Sequence, residues 1–133
     1  AGEAVDAAIA RFAADPGEAP LKAQRAEIDR VFNVSRVEDV QHPGIAGKSP
    51  TSLKLTFEEL KRGAQQDFDE CMRMELRMVM RVMDRVDFYE GIRALLIDKD
   101  QKPVWKPAML AEVTDQDIAA YFAPLGARDL AFE

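Results

Sequence analysis

Apolar residues recur at helical intervals along most of the chain, and no sustained two-residue alternation marks a strand. The expected fold class is therefore all-α, with about six helices joined by short polar breaks. Val5, Ala8, Ile9 and Phe12 share one face of a first helix ending near Asp15-Pro16-Gly17. A second helix runs from about Pro20 to Asn33, with Leu21, Ile28, Val31 and Phe32 inward. Ser35 and Glu38 have the spacing of a capping box for a short turn. Pro43, Gly44 and Gly47 then punctuate residues 41–48 (QHPGIAGK), the best linker in the chain. The organisation this predicts is a helical pair over 1–40, a linker over 41–48 and a longer helical region over 49–133.

That longer region has clear start signals. Ser49 precedes Pro50 as N-cap and first helical residue, Leu53, Phe57 and Leu60 follow, and Gly63 is placed to end the helix. Asp67 opens the longest helix, which reaches about Arg85. Asp87 and Glu90 read as a capping-box-like start for another, followed by a charged, proline-containing loop from Asp98 to Pro107. Thr114 and Asp117 begin a last helix carrying Ile118, Tyr121 and Phe122, stopped by Pro124.

The longest helix carries the most unusual pattern. At about 100° per residue, Phe68, Cys71, Met72, Leu76, Val79, Val82 and Met83 form one broad apolar arc. Arg73, Arg77 and Arg81 line the opposite side, where Glu70 can pair with Arg73 or Arg77. The row reads as a solvated face; its alternative is a contact for an acidic partner or the phosphates of a ligand. Glu75 falls inside the apolar arc, where a carboxylate is costly unless paired. Arg93, or else a helix N-terminus, is its expected partner, making Glu75 a buried bolt between helices; the alternative is a proton-transfer group with a raised pKa. Met74 and Met80 lie outside the arc, so the helix is expected to show a second, exposed apolar patch. Gly91 costs about 1 kcal/mol relative to Ala inside a helix, which calls for a close approach of another element as compensation.

Composition narrows the function. The 133 residues allow one modest core, and 47% hydrophobic with 32% charged content suits a soluble globular chain. A net charge of −6 argues against nonspecific nucleic-acid binding. No apolar run is long enough to cross a bilayer. Cys71 and His42 are the sole residues of their kinds, so neither an intrachain disulfide nor a structural zinc site is expected, and a reducing compartment is. Cys71 reads as a small packing hydrophobe. Ala1-Gly2-Glu3 lacks an initiator Met, which suggests a processed or excised piece.

The stretch from Asp87 to Asp100 (DFYEGIRALLIDKD), closed by Pro103-Val104-Trp105-Lys106-Pro107, resembles the C-terminal signature of the 3-hydroxyisobutyryl-CoA hydrolases, a branch of the crotonase (enoyl-CoA hydratase/isomerase) superfamily. Ser49-Pro50-Thr51-Ser52-Leu53-Lys54, Met74-Glu75-Leu76-Arg77 and Thr114-Asp115 leading to Tyr121-Phe122 match in order and spacing. Phe12 to Pro16 and Glu27 to Phe32 are similar to the family's preceding helices. The chain departs in two places. Leu76 stands where the family usually has an aromatic residue, and the family's longer helical connection before Ser49 is reduced to residues 41–48.

The resemblance implies the C-terminal helical region, or lid, of a crotonase-fold enzyme that hydrolyses the thioester of 3-hydroxyisobutyryl-CoA in valine breakdown. In that family an N-terminal core supplies the oxyanion-hole N–H groups and the catalytic acids. None of those motifs occurs here, so no catalytic residue is assigned and the piece alone is expected to be inactive. The implied partners are that N-terminal crotonase core and acyl-CoA as substrate, with no separate cofactor, metal, nucleic acid or membrane. Self-association through exposed apolar surface is also expected. By correspondence Lys99 would contact a CoA phosphate, with Lys102 and Lys106 as flexible neighbours; the plain alternative is a surface lysine. Trp105 reads as a loop anchor, with adenine stacking as the alternative. The implied location is bacterial cytoplasm, or the mitochondrial matrix in a eukaryote. Two other readings stand beside this one: the C-terminal part of an enoyl-CoA hydratase/isomerase, and a free-standing helical interaction module docking through its Met-rich helix.

Overall fold

A computed structural model describes residues 2–15 and 17–132. Among them there is no strand; there are seven α-helices and five single turns of 3-10 or π helix. The chain divides into two compact units, the first ending at Asn33 and the second starting at Val34.

The first unit holds α1 (Gly2–Ala10), α2 (Pro20–Ala23) and α3 (Arg25–Phe32). The break expected at Asp15-Pro16-Gly17 lies partly outside the described residues, at Pro16. Beside it, Gly17 donates its N–H to Asp15 Oδ1 at 2.8 Å. The apolar residues of α1 are all exposed. The helix expected over 20–33 is split at Gln24, and of its apolar residues Val31 is buried while Leu21 and Phe32 are exposed.

The second unit is built on α4 (Pro50–Gly63), α5 (Phe68–Val82), α6 (Val86–Ile92) and α7 (Asp115–Tyr121). Three starts follow the sequence signals. Ser49 Oγ accepts from Ser52 N–H at 3.2 Å, and Asp67 Oδ1 accepts from Glu70 N–H at 2.9 Å. Thr114 and Asp117 form a reciprocal capping box at 3.1 and 2.9 Å. Two expected boxes do not form, because tertiary partners take the carboxylates. Glu38 accepts from Lys54 Nζ at 2.9 Å, and Lys54 also donates to Val113 O at 2.9 Å, tying the turn at Val37–Asp39 to α4. The hydrogen bond from Lys54 is the main reason the Glu38 carboxyl is held down at about 2. Asp87 and Glu90 leave the start of α6 uncapped and reach into the following loop.

The core joins Leu55 of α4, Met74 and Met78 of α5, Val113, and Ile118, Tyr121 and Phe122 at α7, with Val82 at its edge. α7 packs on both α4 and α5. The Arg62 guanidinium lies 4.0 Å above the Phe122 ring and closes one side.

The expected phase of α5 is corrected by these contacts. Cys71, Met74, Met78 and Val82 point inward, at helical spacing. Met74, assigned to an outer patch by sequence, is buried in the core. Phe68, Met72, Val79 and Met83, assigned to the core, are exposed instead, with half-buried Leu76 among them. The helix is apolar on two sides, and this chain covers the side with fewer large residues. Cys71 is half-buried, with Sγ 3.9 Å from Gly63 O.

The basic row is likewise not a solvated face. Arg77 grips Asp129 through Nε at 2.9 Å and Nη2 at 2.5 Å. Arg73 Nε donates to Leu130 O at 3.0 Å and its guanidinium stacks on Phe132, while also pairing with Glu70. Arg81 Nη1 donates to Tyr121 O at 3.2 Å, and Nη2 to Pro124 O at 3.4 Å. The row straps the C-terminal segment along α5. Arg77→Ala should therefore cost about 1–2 kcal/mol, between exposed and buried pairs. Urea unfolding would show it, and loss of amide protection confined to 125–132 would locate it. An unchanged midpoint with unchanged protection would contradict the strap.

Candidate functional site

The residues after α6 are held by a dense set of side-chain hydrogen bonds. Arg93 begins a π turn, Arg93–Ile97, closed by Asp98 N–H donating to Arg93 O at 2.8 Å. Such turns are rare and concentrate at functional places. The Arg93 side chain does not meet Glu75, as expected from sequence. It reaches Glu90 through Nε at 2.9 Å and Nη2 at 2.7 Å, and Nη1 reaches Asp98 at 2.7 Å and Asp100 at 2.8 Å. Local spacing decided the matter: Glu90 stands one turn before Arg93 and is reached without crossing helices. Glu75 is exposed, and its neighbour is Glu59, whose carboxyl is raised by burial first and by a hydrogen bond with Glu75 second.

Two residues in the following loop, Lys99 (φ 55°) and Gln101 (φ 56°), adopt the left-handed conformation. For side chains longer than Asn this costs about 1–3 kcal/mol each and must be imposed by surroundings. Ala94, fully buried, supplies one anchor: Gln101 donates its N–H to Ala94 O at 3.1 Å. Glu90 supplies another by accepting Val104 N–H at 2.8 Å, and Asp87 a third by accepting Lys106 N–H at 2.9 Å. Asp87 also accepts from Ser49 Oγ at 2.6 Å, joining the loop to the start of α4.

Trp105 completes the fastening. Its Nε1–H donates to Gly47 O at 2.8 Å, and its ring lies where a Cβ on Gly91 would sit 3.4 Å from Cη2. The close approach expected for Gly91 is thus an indole laid against α6, and Trp105 is an anchor between that helix and residue 47.

Lys99, Lys102 and Lys106 are all exposed around this loop. An open cleft of about 500 Å³, lined by Val86, Tyr89, Glu90, Arg93, Val104 and Lys106, lies alongside. Leu95, Leu96 and Ile97, three consecutive large apolar residues of the π turn, are exposed. A second groove, about 670 Å³, is lined by Arg36, Lys54, Phe57, Lys61, Arg62 and Ile118 among others. Its four cations pair with Glu38 (Arg36 and Lys54) or Glu58 (Lys61 and Arg62) in the same lining. Among the described residues no group of His, Cys and acids could hold a metal ion, and no helix is long and apolar enough to cross a membrane.

The Arg93 network is expected to respond to acid. The hydrogen bond from Arg93, then the N–H of Val104, holds the Glu90 carboxyl at about 2, against an ordinary 4.5. Asp100 is also lowered, chiefly by Arg93. A carboxyl depressed by folding contributes fully above its ordinary pKa and loses that contribution as pH falls through the folded value. Lowering pH from 5 to 2 should therefore loosen this loop, and Trp105, the single tryptophan, should report it by a red shift in emission. A flat emission over that window, with helicity retained, would contradict the network's role.

A family model described as enoyl-CoA hydratase/isomerase matches residues 1–122. A Rattus norvegicus protein named 3-hydroxyisobutyryl-CoA hydrolase, mitochondrial, is 52% identical over 84 residues, covering 63% of this chain and 22% of the relative. A Danio rerio protein of the same name is 42% identical over 124 residues, covering 83% and 32%. Among solved structures, a carnitinyl-CoA dehydratase from Mycobacterium thermoresistibile superposes with a TM-score of 0.79 at 36% identity, covering 97% of this chain and 41% of that one. An enoyl-CoA hydratase from Rhodobacter sphaeroides 2.4.1 gives a TM-score of 0.77 at 29% identity, covering 98% and 44%. The chain thus spans about a fifth to a third of the length of the rat and zebrafish relatives.

Proposed function

The chain belongs to the enoyl-CoA hydratase/isomerase family, and on that premise we propose that it is the C-terminal helical part of an acyl-CoA thioester hydrolase acting on 3-hydroxyisobutyryl-CoA. The observation that carries the reading is the match to a relative of that name along 83% of this chain but 32% of the relative. In this reading the chemistry belongs to an N-terminal crotonase core. Donor N–H groups there hold the thioester oxygen as negative charge develops on it, and acidic residues manage the protons. The helical part contributes surface rather than reacting groups.

The uncovered side of α5 supports the partner this reading requires. Phe68, Met72, Leu76, Val79 and Met83 follow one another at spacings of four, four, three and four residues, the stripe of a helix packed against another element. Apolar stripes of that length are seldom left to water. We assign this stripe to the core; with the core withheld, it would serve self-association. Lys99 we assign to a CoA phosphate, which a point cation on an exposed tip suits. In a eukaryote we assign such an enzyme to the mitochondrial matrix, in keeping with the names of the two relatives.

Hydration or dehydration of an enoyl-CoA is the second reading, favoured by the names of the two structural neighbours. One assay separates the two. The full translation product carrying this chain is given 3-hydroxyisobutyryl-CoA, and free thiol is followed beside loss of water across the 2,3 bond. Thiol release supports the hydrolase, and double-bond chemistry without thiol supports the second reading. Turnover by the 133-residue chain alone would overturn both.

A further inference from the structure

Lys99 stands in sequence between two carboxylates, Asp98 and Asp100, and pairs with neither; both go to one nitrogen of Arg93. Arg93 Nη1 donates to Asp98 Oδ2 at 2.7 Å and to Asp100 Oδ2 at 2.8 Å. The rest of the guanidinium is fixed by Glu90 on Nε and Nη2 and by Lys102 O, 3.2 Å from Nη2. Among the described residues, Lys99 itself has no ion pair. Pulling residues 98 and 100 toward a single point also folds the backbone between them tightly. The residue at that apex takes φ 55°. Glycine or asparagine would adopt this conformation with less strain, so the apex is imposed by its surroundings rather than by the residue itself. The Asp100 carboxylate is itself locked, since Oδ1 accepts Lys102 N–H at 2.8 Å.

We propose that Arg93 is a positioning residue for Lys99: by holding Asp98 and Asp100 on one guanidinium, it both fixes the left-handed apex and leaves the Lys99 ammonium unneutralised for a phosphate of the acyl-CoA. The inference rests on the reading of Lys99 as the phosphate contact. It asks for a fork at position 93, because an ammonium offers no planar set of donors to three carboxylates at once.

The test uses Arg93→Lys, Arg93→Gln and Lys99→Ala, singly, and Arg93→Lys with Lys99→Ala. The full translation product is assayed with acyl-CoA and with the matching acyl-pantetheine, which lacks the phosphorylated nucleotide. Lys99→Ala should raise KM for acyl-CoA about tenfold, leave kcat within about twofold, and leave acyl-pantetheine kinetics unchanged. Both Arg93 variants should do the same, and the double variant should be no worse than Lys99→Ala. Carbon chemical shifts at Lys99 in the labelled 133-residue chain should leave the left-handed range in both Arg93 variants. Arg93 variants that match wild type in KM while Lys99→Ala does not would overturn the positioning role and spare the phosphate contact. Additive effects in the double variant would overturn it too. An unchanged KM in Lys99→Ala would overturn the phosphate contact and the inference with it, and shifts still displaced by Arg93→Lys would show that the clamp survives as a structural device alone. Losses equal for both substrates would mark a folding defect and count against positioning.

Discussion

Val79→Asp is expected to leave this chain as stable as before and to abolish its docking on a catalytic core. Val79 is 48% exposed in the middle of the uncovered stripe on α5. Val and Asp have similar helix propensities, so the isolated chain should change by no more than about 0.5 kcal/mol. Against an apolar partner the same carboxylate would lose its water without gaining a counter-ion, which costs several kcal/mol, or roughly a hundredfold or more in affinity. The chain is mixed with separately expressed core, and complex formation is read by calorimetry and turnover by thiol release. Wild-type binding by Val79→Asp would show that the stripe is not the contact. A large fall in melting temperature would show that Val79 already packs inside this chain, against its exposure.

The second large effect lies in the core. Leu55→Ala should cost about 2–5 kcal/mol, because Leu55 is 5% exposed between α5 and α7 and leaves a cavity when truncated. In a domain of about 100 residues each kcal/mol moves the melting temperature by about 4–8 °C. Leu60→Ala removes the same atoms from the same helix, but Leu60 is 69% exposed, and the change should stay within about 0.5 kcal/mol. Thermal melts of the two variants side by side decide the point. Equal losses would mean that α4 packs on a different face.

Local signals were legible. Ser49, Asp67 and Thr114 cap the helices they were expected to cap, because a cap is decided within three residues. Gly91 and Trp105 were legible as a close approach and an anchor, since each is costly unless compensated. The phase of α5 was not legible. Its outward stripe holds Phe68, Met72, Leu76, Val79 and Met83, its inward one Cys71, Met74, Met78 and Val82, and periodicity favours the larger set. Which side is covered depends on what else is present, and the sequence pattern carries no record of that. The partners of Glu38, Asp87, Arg77 and Arg93 were missed, the first three for a related reason. Lys106 and Asp129, the partners of Asp87 and Arg77, lie in a loop and a terminal segment whose path is set by tertiary packing, and Lys54 meets Glu38 only once that turn packs on α4; Glu90, one turn before Arg93, was the local alternative to Glu75.

The strap along α5 has an evolutionary corollary. Arg73 and Arg81 are satisfied by the carbonyls of Leu130, Tyr121 and Pro124, which any residue would offer. Drift in positions 124–132 should thus be nearly free of selection for attachment, Asp129 and Phe132 excepted, so long as three arginines remain one turn apart upstream. Homologous tails that look unrelated letter by letter can follow the same path.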